Sequence, residues 1–221
     1  MSHYAPQLIN LFATLILLLS FAMISQRRIV SLIHLFTMQG VVLVATSFLL
    51  GFVTQQPDLY VSGGLTLVLK VFFIPWMLHR LIRQLNVRWD VETLLNIPTT
   101  MLVGIGLVIF AFSLVLPISR LSHSIAGGSL GIALACVLLS FMMMIVRSKA
   151  IPQVIGFLSM ENGLIFAATT VTNGMPMIVE FGIALDVLVG VLILGVFMFQ
   201  IREKFDSLDI HNLEKLKDDG L

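Results

Sequence analysis

Charge is what this sequence has least of. Asp, Glu, Lys and Arg make up 11% of its 221 residues, against roughly 25% in an ordinary soluble domain. Too few charges remain to coat a water-exposed surface of this size. The formal net charge of +1 gives no field for a polyanion, so nucleic acid is not expected as a partner. Cysteine is nearly absent: Cys136 stands alone, inside an apolar block. A disulfide framework, a zinc site built on cysteines and a cysteine-ligated iron–sulfur cluster are thereby excluded within the chain. A glycine-rich phosphate loop and a Ser/His/Asp arrangement are also missing, and the five histidines show no metal-ligand spacing. No catalytic centre and no cofactor are expected in this chain.

What is present is hydrophobicity in long blocks. Apolar residues make up 58% of the sequence, in runs of about 20, the length that crosses a hydrocarbon core of roughly 30 Å. The fold class expected is an all-α integral membrane protein of about seven helices, with spans near 8–25, 29–53, 60–82, 99–117, 125–146, 151–173 and 177–201. The first block is not expected to be a signal peptide, because Lys and Arg are absent before it and Arg27–Arg28 follow it.

Basic residues alternate between the connections. Arg27, Arg28, Arg80, Arg83, Arg88, Arg147, Lys149, Arg202, Lys204, Lys215 and Lys217 fall on one side, and Arg120 alone on the other. The positive-inside rule places the N-terminus outside and the C-terminus in the cytoplasm. Loop 83–98, with Trp89 at an interfacial position, is the one sizeable cytoplasmic connection. The tail 202–221 carries Leu208, Ile210, Leu213 and Leu216 among charges, which suits either a solvated helix or docking on a cytoplasmic partner.

Three ionisable residues remain inside the spans. Lys70, Glu161 and Asp186 each fall about ten residues from a membrane boundary, roughly 15 Å deep at 1.5 Å per residue. Such charges are costly, on the order of 3 kcal/mol or more each when unpaired, and should face protein or water. Gly182 and Gly190 flank Asp186 on its own helical stripe, allowing a neighbouring backbone close to it. Ser159, Asn162 and Gly163 surround Glu161; Pro75 leaves the Val71 carbonyl without its helical donor, next to Lys70. Gln39 lies at comparable depth and could extend the polar chain, and Glu180 sits about a turn inside the outer boundary. Two readings follow for Lys70, Glu161, Asp186, Glu180, Gln39 and Asn162. They form either an interhelical clamp or part of a proton or ion path, since burial disfavours the charged form of any such group. His34 is expected to be a packing residue, and the twelve methionines are expected to be packing as well.

The last helices carry a resemblance. Arg147-Ser-Lys149, Val154-Ile-Gly156 and Met160-Glu161-Asn162-Gly163 are similar to the second helix of the small K-type subunit of respiratory complex I. Glu180-Phe-Gly-Ile-Ala-Leu-Asp186-Val-Leu-Val-Gly190 is similar to its third. Relative to that subunit, Glu161 lies a turn later, with the corresponding acid at Leu158, and Asp186 stands for a glutamate. A closer resemblance is to component E of hydrogenase 4, through Met160-Glu161-Asn162-Gly163, Val179-Glu180, Gly182-Ile-Ala, Asp186, Lys70-Val71 with Pro75, and Leu208-Asp209 with Asn212-Leu213. It implies a four-helix part, 1–120, and a K-subunit-like three-helix part, 121–221. It implies a subunit of a complex I-related, hydrogenase 4-like oxidoreductase complex in the cytoplasmic (inner) membrane of a prokaryote. Antiporter-like membrane subunits would be neighbours, and peripheral subunits would hold the iron–sulfur and nickel–iron centres. Its buried charges would then be a segment of a proton-coupling axis. An autonomous secondary transporter and a purely structural arm subunit are the alternatives.

Overall fold

The computed structural model describes residues 5–85, 95–121, 126–171, 182 and 186–190. Packing divides the chain into two units, Met1–Ala184 and Leu185–Leu221. Of the second unit, residues 186–190 are described, and they are helical.

The first unit is a helix bundle: α1 (Ala5–Ser25), α2 (Ile29–Thr54), α3 (Pro57–Thr66), a π-helical segment (Leu67–Phe73), α4 (Ile74–Leu85), α5 (Ile97–Leu121), α6 (Ala126–Val146) and α7 (Ala150–Val171). The segments α3, π and α4 run on as a single rod, Pro57–Leu85, of which Pro57–Arg83 is the stretch apolar enough to cross a membrane. Among the described residues there are thus six helices long and apolar enough to cross a membrane, each within a few residues of its expected bounds, and no β-strand. The seventh expected span, 177–201, lies outside the described residues except for 182 and 186–190.

The outward faces fit a membrane. Leu18 on α1 is 62% exposed and Leu102 on α5 is 72% exposed, with Leu11, Ile105, Ile109 and Phe110 also exposed on those helices. Water would oppose so continuous an apolar surface, whereas lipid does not. Polar side chains turn their hydroxyls back into their own helices. Thr37, Thr46, Ser47, Ser113 and Thr170 each donate to a carbonyl one turn earlier, as a hydrocarbon surrounding demands.

Inside, α6 packs along α7 and against α1 and α5, while α2 packs on α1, α7 and the third rod. Small residues set the α6–α7 approach. A Cβ added at Gly163 would lie 3.2 Å from Val137 Cγ2, 3.3 Å from Cys136 Cβ and 3.4 Å from the Ala133 carbonyl. On the opposite rim, α2 ends at Gln55, a non-glycine residue at φ 56°, and Pro57 opens α3 in the first turn, where its missing N–H costs nothing.

Arg147 also organises the fold. Read from sequence it is one more basic loop residue, but it is 2% exposed. Its Nη2 donates to the carbonyls of Met23 (3.2 Å), Ile24 (2.8 Å) and Gln26 (2.8 Å). Met23 and Ile24 lie in the last turn of α1 and Gln26 just beyond it, where carbonyls lose their ordinary helical donors; the Met23 carbonyl also accepts the Gln26 N–H at 3.3 Å. Gln153 Nε2 donates to the Arg147 carbonyl at 2.8 Å, so the α1–α2 and α6–α7 turns are tied together. Burial pushes the guanidinium below its ordinary pKa, but at an arginine that still leaves it charged.

Candidate functional site

Lys70 lies thirteen residues from either end of the apolar span Pro57–Arg83, at mid-membrane depth. It occupies the π segment, where Ile74 N–H reaches back five residues to the Leu69 carbonyl. Pro75 follows at once and supplies no N–H to the turn before it, which favours a local widening at this point. Opposite, Gly40 of α2 brings its backbone close: a Cβ there would be 3.6 Å from Lys70 Cβ and 3.4 Å from Val71 Cγ2. The lysine stem is thereby enclosed, and the residue is 0% exposed.

Its ammonium points at α7. Lys70 Nζ stands 3.3 Å from Glu161 Oε1 and donates to Asn162 Oδ1 at 2.9 Å. Glu161 is 1% exposed and Asn162 0%. The pair satisfies the requirement that charges in a membrane face protein, and Glu161 is one of the two acids expected as a partner of Lys70. Gly182 closes the other side of the carboxylate, its Cβ position being 3.5 Å from Glu161 Oε1 and 2.8 Å from Ile165 Cδ1. A Cβ at 182 would oblige the end of the Ile165 side chain to shift, so glycine here eases the approach to Glu161.

The polar chain continues. Asn162 Nδ2 donates to Gln39 Oε1 at 3.1 Å, and Gln39 Nε2 donates to Ser20 Oγ at 3.0 Å. Ser20 Oγ donates to the Ile16 carbonyl at 3.0 Å. Lys70, Glu161, Asn162 and Gln39 are therefore brought together as the sequence suggested. Ser20 was missed: one serine in an apolar helix carries no signal until its neighbour is known. Asp186 belongs to the second unit, within the helical stretch 186–190, and Glu180 lies outside the described residues.

Two histidines meet elsewhere. The rings of His34 and His79 pack edge to face at 5.5 Å between centroids, and His79 Nδ1 is 2.8 Å from the Pro75 carbonyl. A carbonyl only accepts, so Nδ1 carries the proton. Among the described residues no group of three or more His, Cys, Asp or Glu could hold a metal ion. Chemically, the site can hold a positive and a negative charge side by side away from water, and it can exchange a proton between an ammonium and a carboxylate.

No family model matches the chain, and no solved structure matches it. Curated proteins do. The sequence is 23% identical over 210 residues to hydrogenase-4 component E of Escherichia coli K12, covering 95% of this chain and 97% of that one. The same figures hold for hydrogenase-4 component E of Shigella flexneri. It is 30% identical over 212 residues to the uncharacterized protein Rv0085 of Mycobacterium tuberculosis, covering 96% of both. At that identity over nearly the whole of both sequences, the chain belongs to one family with Rv0085, and hydrogenase-4 component E is a full-length relative at lower identity.

Proposed function

We propose that this chain is a membrane subunit of a hydrogenase-like complex, and that its buried charges form a segment of a proton-coupling axis related to that of complex I. The observation that carries the reading is the Lys70–Glu161 pair, fully buried at mid-membrane depth on two different spans. It occurs in a chain related over nearly its whole length to hydrogenase-4 component E. A pair of this kind costs several kcal/mol per ion to desolvate. A chain that needed only packing there would do as well with leucines.

In this reading Asp186 and Glu180 continue the axis toward neighbouring antiporter-like subunits, and iron–sulfur and nickel–iron chemistry belongs to peripheral partners. A redox event there would change field or conformation at one end of the axis. The protonation states of Lys70 and Glu161 would then shift in step. The setting proposed is the cytoplasmic membrane of a prokaryote, N-terminus outside. The K-type likeness of the last helices supports the proposal through Met160-Glu161-Asn162-Gly163.

Affinity purification of the tagged chain in mild detergent tests membership. Antiporter-like membrane subunits and a nickel–iron large subunit should copurify. A chain that comes out alone and transports an ion by itself in liposomes would instead be an autonomous transporter.

A further inference from the structure

The hydrogen bonds in the line from Lys70 through Asn162 run one way. An ammonium has only hydrogens to offer, so Asn162 must turn its oxygen to Lys70 and its NH2 away. That NH2 needs an acceptor, so Gln39 must present Oε1 to it and send its own NH2 onward to Ser20 Oγ. At the far end the Ile16 carbonyl can only accept, so Ser20 donates there. Both ends force the same direction, and the amide orientations are fixed by chemistry at either terminus. Each carbonyl dipole in the line points its negative end toward Lys70, and such dipoles reinforce one another in a low-dielectric interior.

We propose that Gln39 and Ser20 are positioning residues for Lys70, acting through Asn162, in a chain that holds the ammonium without conducting protons. Neutral amides have no proton to pass on unless they become imidic acids, so the line from Asn162 to Ser20 is a dead end for protons. Glu161, 3.3 Å from Lys70 Nζ, is by contrast a group that can take a proton from it. The chain also has a second orientation. If Lys70 gives up its proton, its lone pair can accept from Asn162; Gln39 then donates to Asn162, and Ser20 lets go of the Ile16 carbonyl to donate to Gln39. The charge state of Lys70 is thereby felt on α1, one turn from the Met23 and Ile24 carbonyls that Arg147 holds. The role as a proton stop rests on the proposed coupling function, but the positioning itself can be tested without it.

The test is solid-state NMR of the full chain in lipid bilayers, with ¹⁵N-labelled lysine and asparagine. The Lys70 Nζ resonance is assigned by its absence in Lys70→Met. Ser20→Ala removes a group separated from Lys70 by two intervening side chains. It should shift both the Lys70 Nζ and the Asn162 side-chain amide resonances, Gln39→Leu should shift them further, and Ser20→Thr should restore the parent positions. Unchanged Lys70 and Asn162 signals in both Ser20→Ala and Gln39→Leu would overturn the proposal and leave the coupling function untouched. In the complete complex, loss of proton translocation in Gln39→Leu that Gln39→Glu restores would show that position 39 conducts, and would overturn it too.

Discussion

An ammonium and a carboxylate tolerate a membrane interior together far better than either does alone. Lys70→Met or Glu161→Gln should each destabilise the folded chain by about 1–3 kcal/mol, because each takes one charge-assisted contact from a buried partner. The double variant should cost clearly less than the sum of the two, a coupling readable in a denaturant titration in detergent. Additive costs would mean that the pair does not interact. Arg147→Ala belongs to the same scale: it removes three carbonyl contacts at the end of α1. A loss of about 3 kcal/mol is expected in the same titration, with Arg147→Lys recovering little of it, since an ammonium lacks the guanidinium fork. The charges themselves were legible in the sequence, because Lys, Glu and Asp stand out in apolar blocks. Their partners were only partly so. The Lys70–Glu161 pair could be named only as one of two possibilities at equal depth, because depth cannot say which face of a helix a residue occupies. Arg147 was misjudged, because a basic residue beside a loop reads as solvated until the neighbouring helix end is seen.

At the scale of helices, the pattern of apolar blocks and basic connections located α1, α2, α5, α6, α7 and the third rod to within a few residues. It could not show the π segment at Leu67–Phe73. Pro75 signalled a disturbed carbonyl, but a proline is compatible with a kink, a break or a widened turn, and packing against Gly40 and α7 decides among them. The small residues had a clearer meaning. Gly163→Val places carbon where Val137, Cys136 and Ala133 already stand, and should cost about 2 kcal/mol by overpacking α6 on α7. Gln55→Gly relieves a left-handed non-glycine residue at the end of α2, and should raise stability by about 1 kcal/mol. Thermal unfolding in detergent would order these two variants on opposite sides of the parent.

For the whole molecule, the side of each connection is the first expectation to check. In a Cys136→Ala background, Gln56→Cys should react with a membrane-impermeant thiol reagent on intact cells, and Arg27→Cys only after permeabilisation. The reverse would invert the topology. The function turns on whether the buried pair moves protons or only holds helices together, and both uses need the same geometry. The measurement that separates them is proton translocation by membrane vesicles carrying the assembled complex with Glu161→Gln. The coupling account predicts a complex of normal subunit composition whose proton movement falls at least about tenfold, as expected when a proton-transferring group is replaced. Normal translocation by an assembled Glu161→Gln complex would contradict it.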